Sequence, residues 1–290
     1  MTSLLRLLPA LTIACTVAGC ATYDTIMVPP QQTQPLTIAY SDKGLSGLDG
    51  PMGTYTLPKA NVVITGHQSG SPLAGILFGP IGMLAKSAAD SASGKGKLGN
   101  AESVLSIDVT ALTKTATDTV LATGKFAQSF TKETAAGVLT IQPFALLTFV
   151  NDNDVRVWAV AATTISRNGK TEWSSRYFAN FGKPTPLTGP GSLTENDGAE
   201  FKAQLAKSME HLIAASLDDI VQHRARDEKK TETIEFDLPY IRGWRNTLPV
   251  MVLTEDADAI VVAPKWADVN VTAGIYVLDK SQAVRQPAAK

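Results

Sequence analysis

Apolar side chains fall on alternate positions through residues 155–165, where Val155, Val157, Ala159 and Ala161 oppose Arg156, Trp158 and Val160. This is the period of a β-strand with one apolar face and a second face that is only partly polar. Comparable β-rich runs predict strands at 104–112, 120–130, 138–150 and 171–181, and a first or edge strand at 55–66 that Pro58 interrupts. Asn151-Asp152-Asn153-Asp154 supplies turn residues, and Asn168-Gly169 tolerates the positive φ of a tight hairpin. The strands are therefore predicted to run as consecutive antiparallel neighbours.

The period then lengthens. Ser192-Leu193-Thr194-Glu195 with an acidic first turn announces a helix, and Phe201, Leu205, Met209, Leu212, Ile213, Leu217 and Ile220 recur at three- and four-residue steps to about Arg224. That stripe requires one helix face on the sheet. Short strands are predicted at 233–238, 248–254, 260–262 and 269–278, followed by a frayed tail at 281–290. The expected fold class is α+β: a mainly antiparallel sheet covered by one long helix, with a smaller C-terminal β portion.

Three stretches depart from this pattern. Residues 21–53 are rich in Pro, Gln, Gly, Thr and Ser and read as an extended tether. Residues 72–89 are apolar with Gly75, Gly79, Pro80 and Gly82 among Leu73, Ile76, Leu77, Ile81 and Leu84. As a helix this segment would show a small-xxx-small face, but it falls short of the ~20 residues a span needs and Pro80 interrupts it. It is expected to be a buried helix or loop packed on the sheet, with an interfacial or oligomer-contact element and a spanning element as the other readings. Residues 87–100 read as a Gly/Ser/Ala/Lys linker. The chain then divides into a leader at 1–19, a tether at 20–53, an α+β domain at 54–230 with an insertion at 72–97, a β portion at 231–280, and the tail.

The leader changes the picture most. Arg6 precedes an apolar stretch at 7–17 of signal-peptide length, and Val17-Ala18-Gly19-Cys20 follows. These four residues resemble the bacterial lipobox, in which two small residues precede a cysteine that is diacylated and becomes the first residue of the mature protein. The resemblance implies lipidation at Cys20 and the bilayer as a partner through its acyl chains. Ala21, in place of a retaining aspartate, implies the periplasmic face of a Gram-negative outer membrane. A second resemblance covers residues 100–224. Asn168-Gly169-Lys170-Thr171-Glu172-Trp173, with a long amphipathic helix beyond, is similar to the α+β periplasmic domains of curli-secretion-type envelope lipoproteins. It implies fold and envelope setting and carries over no functional residue.

Composition narrows the chemistry. The chain has 290 residues, 44% hydrophobic and 18% charged, with a net charge of −1. Loss of the leader removes Arg6 alone of the charged residues, so nothing electrostatic points to nucleic acid. Lys95 and Lys97, and the mixed run 224–230, read as solvated surface. Cys15 and Cys20 are the two cysteines, so the body after Cys20 can hold no disulfide, thiolate-bound zinc or cysteine nucleophile. His67, His211 and His223 lack metal-ligand spacing, and the last two lie about 18 Å apart along one helix. Asp218 and Asp219 point ~100° apart and read as solvent-facing. Glu255, Asp256 and Asp258 lack the loop of a calcium site, and Asp152 and Asp154 have no assignable partner. Trp158, Trp173, Trp244 and Trp266 are expected in packing. No catalytic, metal or cofactor-binding residue is predicted. The expected function is a non-enzymatic binding or scaffolding component with an envelope protein partner. The alternatives are an oligomeric assembly or pore subunit using 72–89, and a hydrolase with a dispersed site.

Overall fold

The computed structural model describes residues 27–43, 53–58, 60–67, 79–131, 133–240, 242–243, 245–265 and 273–287, with 79–88 described by backbone alone. The lipobox and Cys20, Trp244, Trp266 and residues 72–78 lie outside the described residues.

The centre is built from three long strands, β5 (Gly137–Phe149), β6 (Asp154–Arg167) and β7 (Lys170–Asn180). They form an antiparallel meander through the two turns expected from sequence. Asn168 and Gly169 have φ of 51° and 73°, the pair of positive values a two-residue hairpin turn demands. On one side of β5, β1 (Leu36–Tyr40) pairs with Gly137 to Ile141 and β3 (Val62–Thr65) with Ala145 to Thr148, both parallel. The short β2 (Tyr55–Thr56) and β4 (Phe130–Thr131) extend that side, and β8 (Thr185–Pro186) pairs with the start of β6. On the other side β12 (Ile275–Asp279) runs parallel to β7. It leads outward to β11 (Ala259–Pro264), β10 (Arg245–Glu255), β9 (Glu232–Asp237) and β13 (Val284–Arg285).

The sheet is thus mixed rather than mainly antiparallel, a correction to the sequence expectation. Segments distant in sequence insert beside the meander, and alternation within a strand says nothing of its partner's direction. The C-terminal strands belong to the same sheet through β12, and β13 places Val284 and Arg285 of the expected tail in pairing with β9. Residues 269–272 of the last predicted strand lie outside the described residues.

One long helix does not cover this sheet alone. The helices are α1 (Gly79–Leu98), α2 (Ala101–Leu105), α3 (Val109–Ala122) and α4 (Glu195–Gln222). The α4 stripe from Phe201 to Ile220 lies buried as its spacing predicts, and α3 packs beside it over the same sheet. α3, with α2 before it and turns after it, replaces the strands expected at 104–112 and 120–130, leaving Phe130 alone of those residues in a strand, β4. Its buried Val109, Thr113, Ala116, Thr117 and Val120 recur with helical period, and Asp108 caps it by accepting from the Ala111 N–H at 2.8 Å. α1 likewise replaces most of the linker expected at 87–100 and buries Gly94 and Leu98. Pro80 sits in its first turn, where a missing N–H costs no intrahelical bond. No helix among the described residues is long and apolar enough to cross a membrane.

The opposite face of the meander is buried too. Phe144, Leu146, Trp158, Val160 and Phe178 pack against Ile234, Phe236, Leu248, Val250, Ile260, Val262 and Tyr276. β6 and β9 are separated by four strands in the sheet, yet Arg156 of β6 pairs with Asp237 of β9 at 2.7 Å. The sheet must therefore curl, its C-terminal strands roofing the face away from the helices. That explains why Arg156, Trp158 and Val160 alternate with a fully apolar face.

Candidate functional site

The N-terminal segment docks where three elements end. Leu36 starts β1, so residues 36–40 are part of the sheet and not of the tether expected at 21–53. Ahead of β1, residues 27–32 form a strap over the body. The Met27 carbonyl accepts from the indole N–H of Trp173 on β7 at 3.3 Å, and the Pro29 carbonyl accepts from Nδ1–H of His223 at 3.0 Å. Gln32 accepts from Arg167 at the end of β6. Pro29 is buried, while Met27 and Val28 remain 51% and 40% exposed. His223 reaches the strap because it caps α4 in the left-handed conformation, with φ 46° and its N–H on the Asp219 carbonyl at 3.1 Å.

Beneath the strap lies a polar cluster formed by the last turn of α4. Asp219 accepts from the Tyr177 hydroxyl at 2.7 Å and from Arg226 at 2.6 Å, both side chains of the ion pair being 2% exposed. Burial, reinforced by the Asp219 charge, pushes the Tyr177 phenol well above its ordinary range. Asp218 faces elsewhere, to Lys125 at 2.8 Å and to Arg224 through Nε at 3.0 Å. Burial alone would raise its carboxyl, yet the hydrogen bonds from Lys125 and Arg224 hold it below the usual range. Both aspartates are buried, at 6% and 2% exposure, which corrects their reading as solvent-facing. Adjacent on the helix, their side chains diverge and serve separate cations. The side chain of Arg226, read as surface, is also buried, and nothing in the mixed run 224–230 signalled that one guanidinium would fold back.

The three histidines stay apart. His67 is buried at the end of β3 and donates from Nε2 to the Asp90 carbonyl of α1 at 2.8 Å. Burial holds its pKa below the ordinary histidine value. His211 stacks on Phe181 with centroids 3.8 Å apart and planes at 5°, and burial lowers its pKa as well. Each ring is thus occupied by a structural contact. Trp158 and Trp173 are core residues at 1% and 2% exposure.

The other carboxylates are similarly engaged. Glu255 pairs with Lys280 and Arg285, whose hydrogen bonds, Arg285 foremost, bring its pKa to about 2. Asp256 accepts from the backbone N–H groups of Asp258 and Ala259, and Asp152 meets Arg242 at 2.7 Å. Among the described residues no group of three or more His, Cys, Asp or Glu could hold a metal ion. An open apolar groove of about 450 Å³ lies between α3 and α4, lined by Ile107, Leu112, Ala116 and Ala206 with Lys202 and Glu210 at its rim.

Compared with protein-family models, with curated proteins and with solved structures, the chain matches none. The geometry therefore stands on its own residues. At the strap it can do one thing: fix the entry point of the chain to the ends of β6, β7 and α4, with an ion-paired helix terminus as the foundation.

Proposed function

We propose that this chain is an envelope lipoprotein, exported, acylated at Cys20, and held on the periplasmic face of the outer membrane, where its body acts as a non-enzymatic binding or scaffolding component with an envelope protein partner. The observation that carries the reading is Val17-Ala18-Gly19-Cys20 directly after an apolar leader, with no further cysteine along the chain. Two acyl chains give stable anchoring where one is marginal, since each buried methylene contributes ~0.8 kcal/mol. Support for a binding rather than catalytic role comes from the occupied state of the polar groups. His67, His211, His223, Asp218 and Asp219 each spend their contacts on the fold.

The test is intact-mass analysis of the native product together with membrane fractionation of Cys20→Ser. Acylation at Cys20 and release of the variant to the soluble fraction are expected. An unmodified thiol, or a variant that still sediments with membrane, sinks the reading.

A further inference from the structure

We infer that the end of the body formed by the strap, the β6–β7 hairpin and the C-terminus of α4 is the end nearer the bilayer that holds Cys20. This deepens the lipoprotein reading and rests on it.

Had residues 21–53 all been tether, the chain from Cys20 could have extended about 110 Å, and any face of the body could have met the lipid. The strap removes that freedom. Trp173, His223 and Arg167 hold residues 27–32 against three different elements, and β1 locks the chain into the sheet four residues further on. Six residues separate Cys20 from Met27. Fully extended, the seven Cα steps between them span at most about 25 Å. A folded body of about 260 residues has a radius of gyration of about 18 Å, hence a diameter of roughly 45 Å. The leash is shorter than the body is wide, so the body cannot invert to point its far end straight at the membrane while the strap stays docked.

The docked end also carries the chemistry of a surface that meets lipid. Met27 and Val28 are large apolar residues left exposed, side by side, at the point where the leash arrives. Lys170 is exposed at the hairpin tip. The opposite pole is the turn at Asn151 to Asn153, separated from the tip by the 14 residues of β6, or about 45 Å. The structure therefore assigns the poles: Lys170 toward the headgroups, Asn153 toward the periplasm.

The body has no cysteine after Cys20, so a single reporter thiol can be placed at will. Lys170→Cys and Asn153→Cys, made separately in the full lipidated protein and labelled with a fluorophore, are reconstituted on phosphatidylethanolamine/phosphatidylglycerol vesicles carrying a headgroup nitroxide quencher. Quenching several-fold stronger at position 170 than at 153 is expected. A flexible Gly/Ser insert of about thirty residues after Ala21, which leaves the strap in place, should erase the difference. Acyl chains are verified by mass on the same preparations. Absent acylation overturns the lipoprotein reading and this inference together. With acylation present, equal quenching at the two positions, or a difference that survives the insert, overturns the orientation alone.

Discussion

At the level of single residues, the buried charges govern what can be changed. Asp219 and Arg226 share an environment from which water is excluded, with Tyr177 as third member. Removing one charge leaves the other uncompensated, which costs about 3–5 kcal/mol. Asp219→Asn should lose that much in urea unfolding, and a loss below about 1 kcal/mol would show the pair to be dispensable. His67 supplies a pH dependence. Its folded pKa lies below the unfolded value of about 6.5, so the unfolded chain binds the extra proton. Its contribution to stability is complete above that value and is lost as pH falls through it toward the folded pKa. The melting temperature should drop between pH 7 and 5, and His67→Gln should flatten part of that slope, with His211 accounting for a remainder. An unchanged slope in the variant would exclude His67 as its source. None of this was legible beforehand, because burial of a helix-end aspartate depends on cations from Lys125, Arg224 and Arg226 arriving from other segments.

Among the elements, α4 and the meander were readable because their patterns are local. A seven-residue apolar stripe names a helix face, and Asn168-Gly169 names a hairpin. α3 went unrecognised: the strands expected at 104–112 and 120–130 took its two ends, and between them Thr113, Thr115, Thr117 and Thr119 carry a β-branched composition that does not suggest a helix. In the structure each hydroxyl donates to the carbonyl four residues earlier, satisfying the side chain within the helix. Asp108 as cap and the spacing of Val109, Ala116 and Val120 were the available counter-signals. The second half of α1 was missed because its glycines suggested a linker from residue 87 onward. Gly94 is there for contact: an added Cβ would lie 2.7 Å from His67 Nε2. Gly66 gives a sharper prediction. Its φ is +75° and an added Cβ would sit 2.5 Å from the Phe149 carbonyl oxygen, a backbone atom that cannot step aside. Gly66→Ala should destabilise by more than about 2 kcal/mol. Gly169→Ala, at φ +73° with open space around it, should cost about 1 kcal/mol. Comparable losses from the two in chemical denaturation would refute the assigned contact.

For the whole molecule, the mixed sheet was hidden from sequence because parallel partners come from far away. Leu36 pairs with Gly137, and Ile275 with Tyr177. Deleting residues 27–40 should therefore not trim a passive leash but expose the β5 edge beside Gly137 to Ile141, lowering stability and promoting self-association, which sedimentation of the deletion variant would detect. The same β1–β5 pairing sets a clock. A loop of about a hundred residues must close before that ladder exists, an entropic barrier near 4 kcal/mol. Refolding should accordingly take milliseconds to seconds, as in other chains ruled by non-local contacts. During synthesis the first strand to emerge must then wait, unpaired, until Gly137 to Ile141 have followed, so the opening strand of the fold finds its place only when about half of the chain exists.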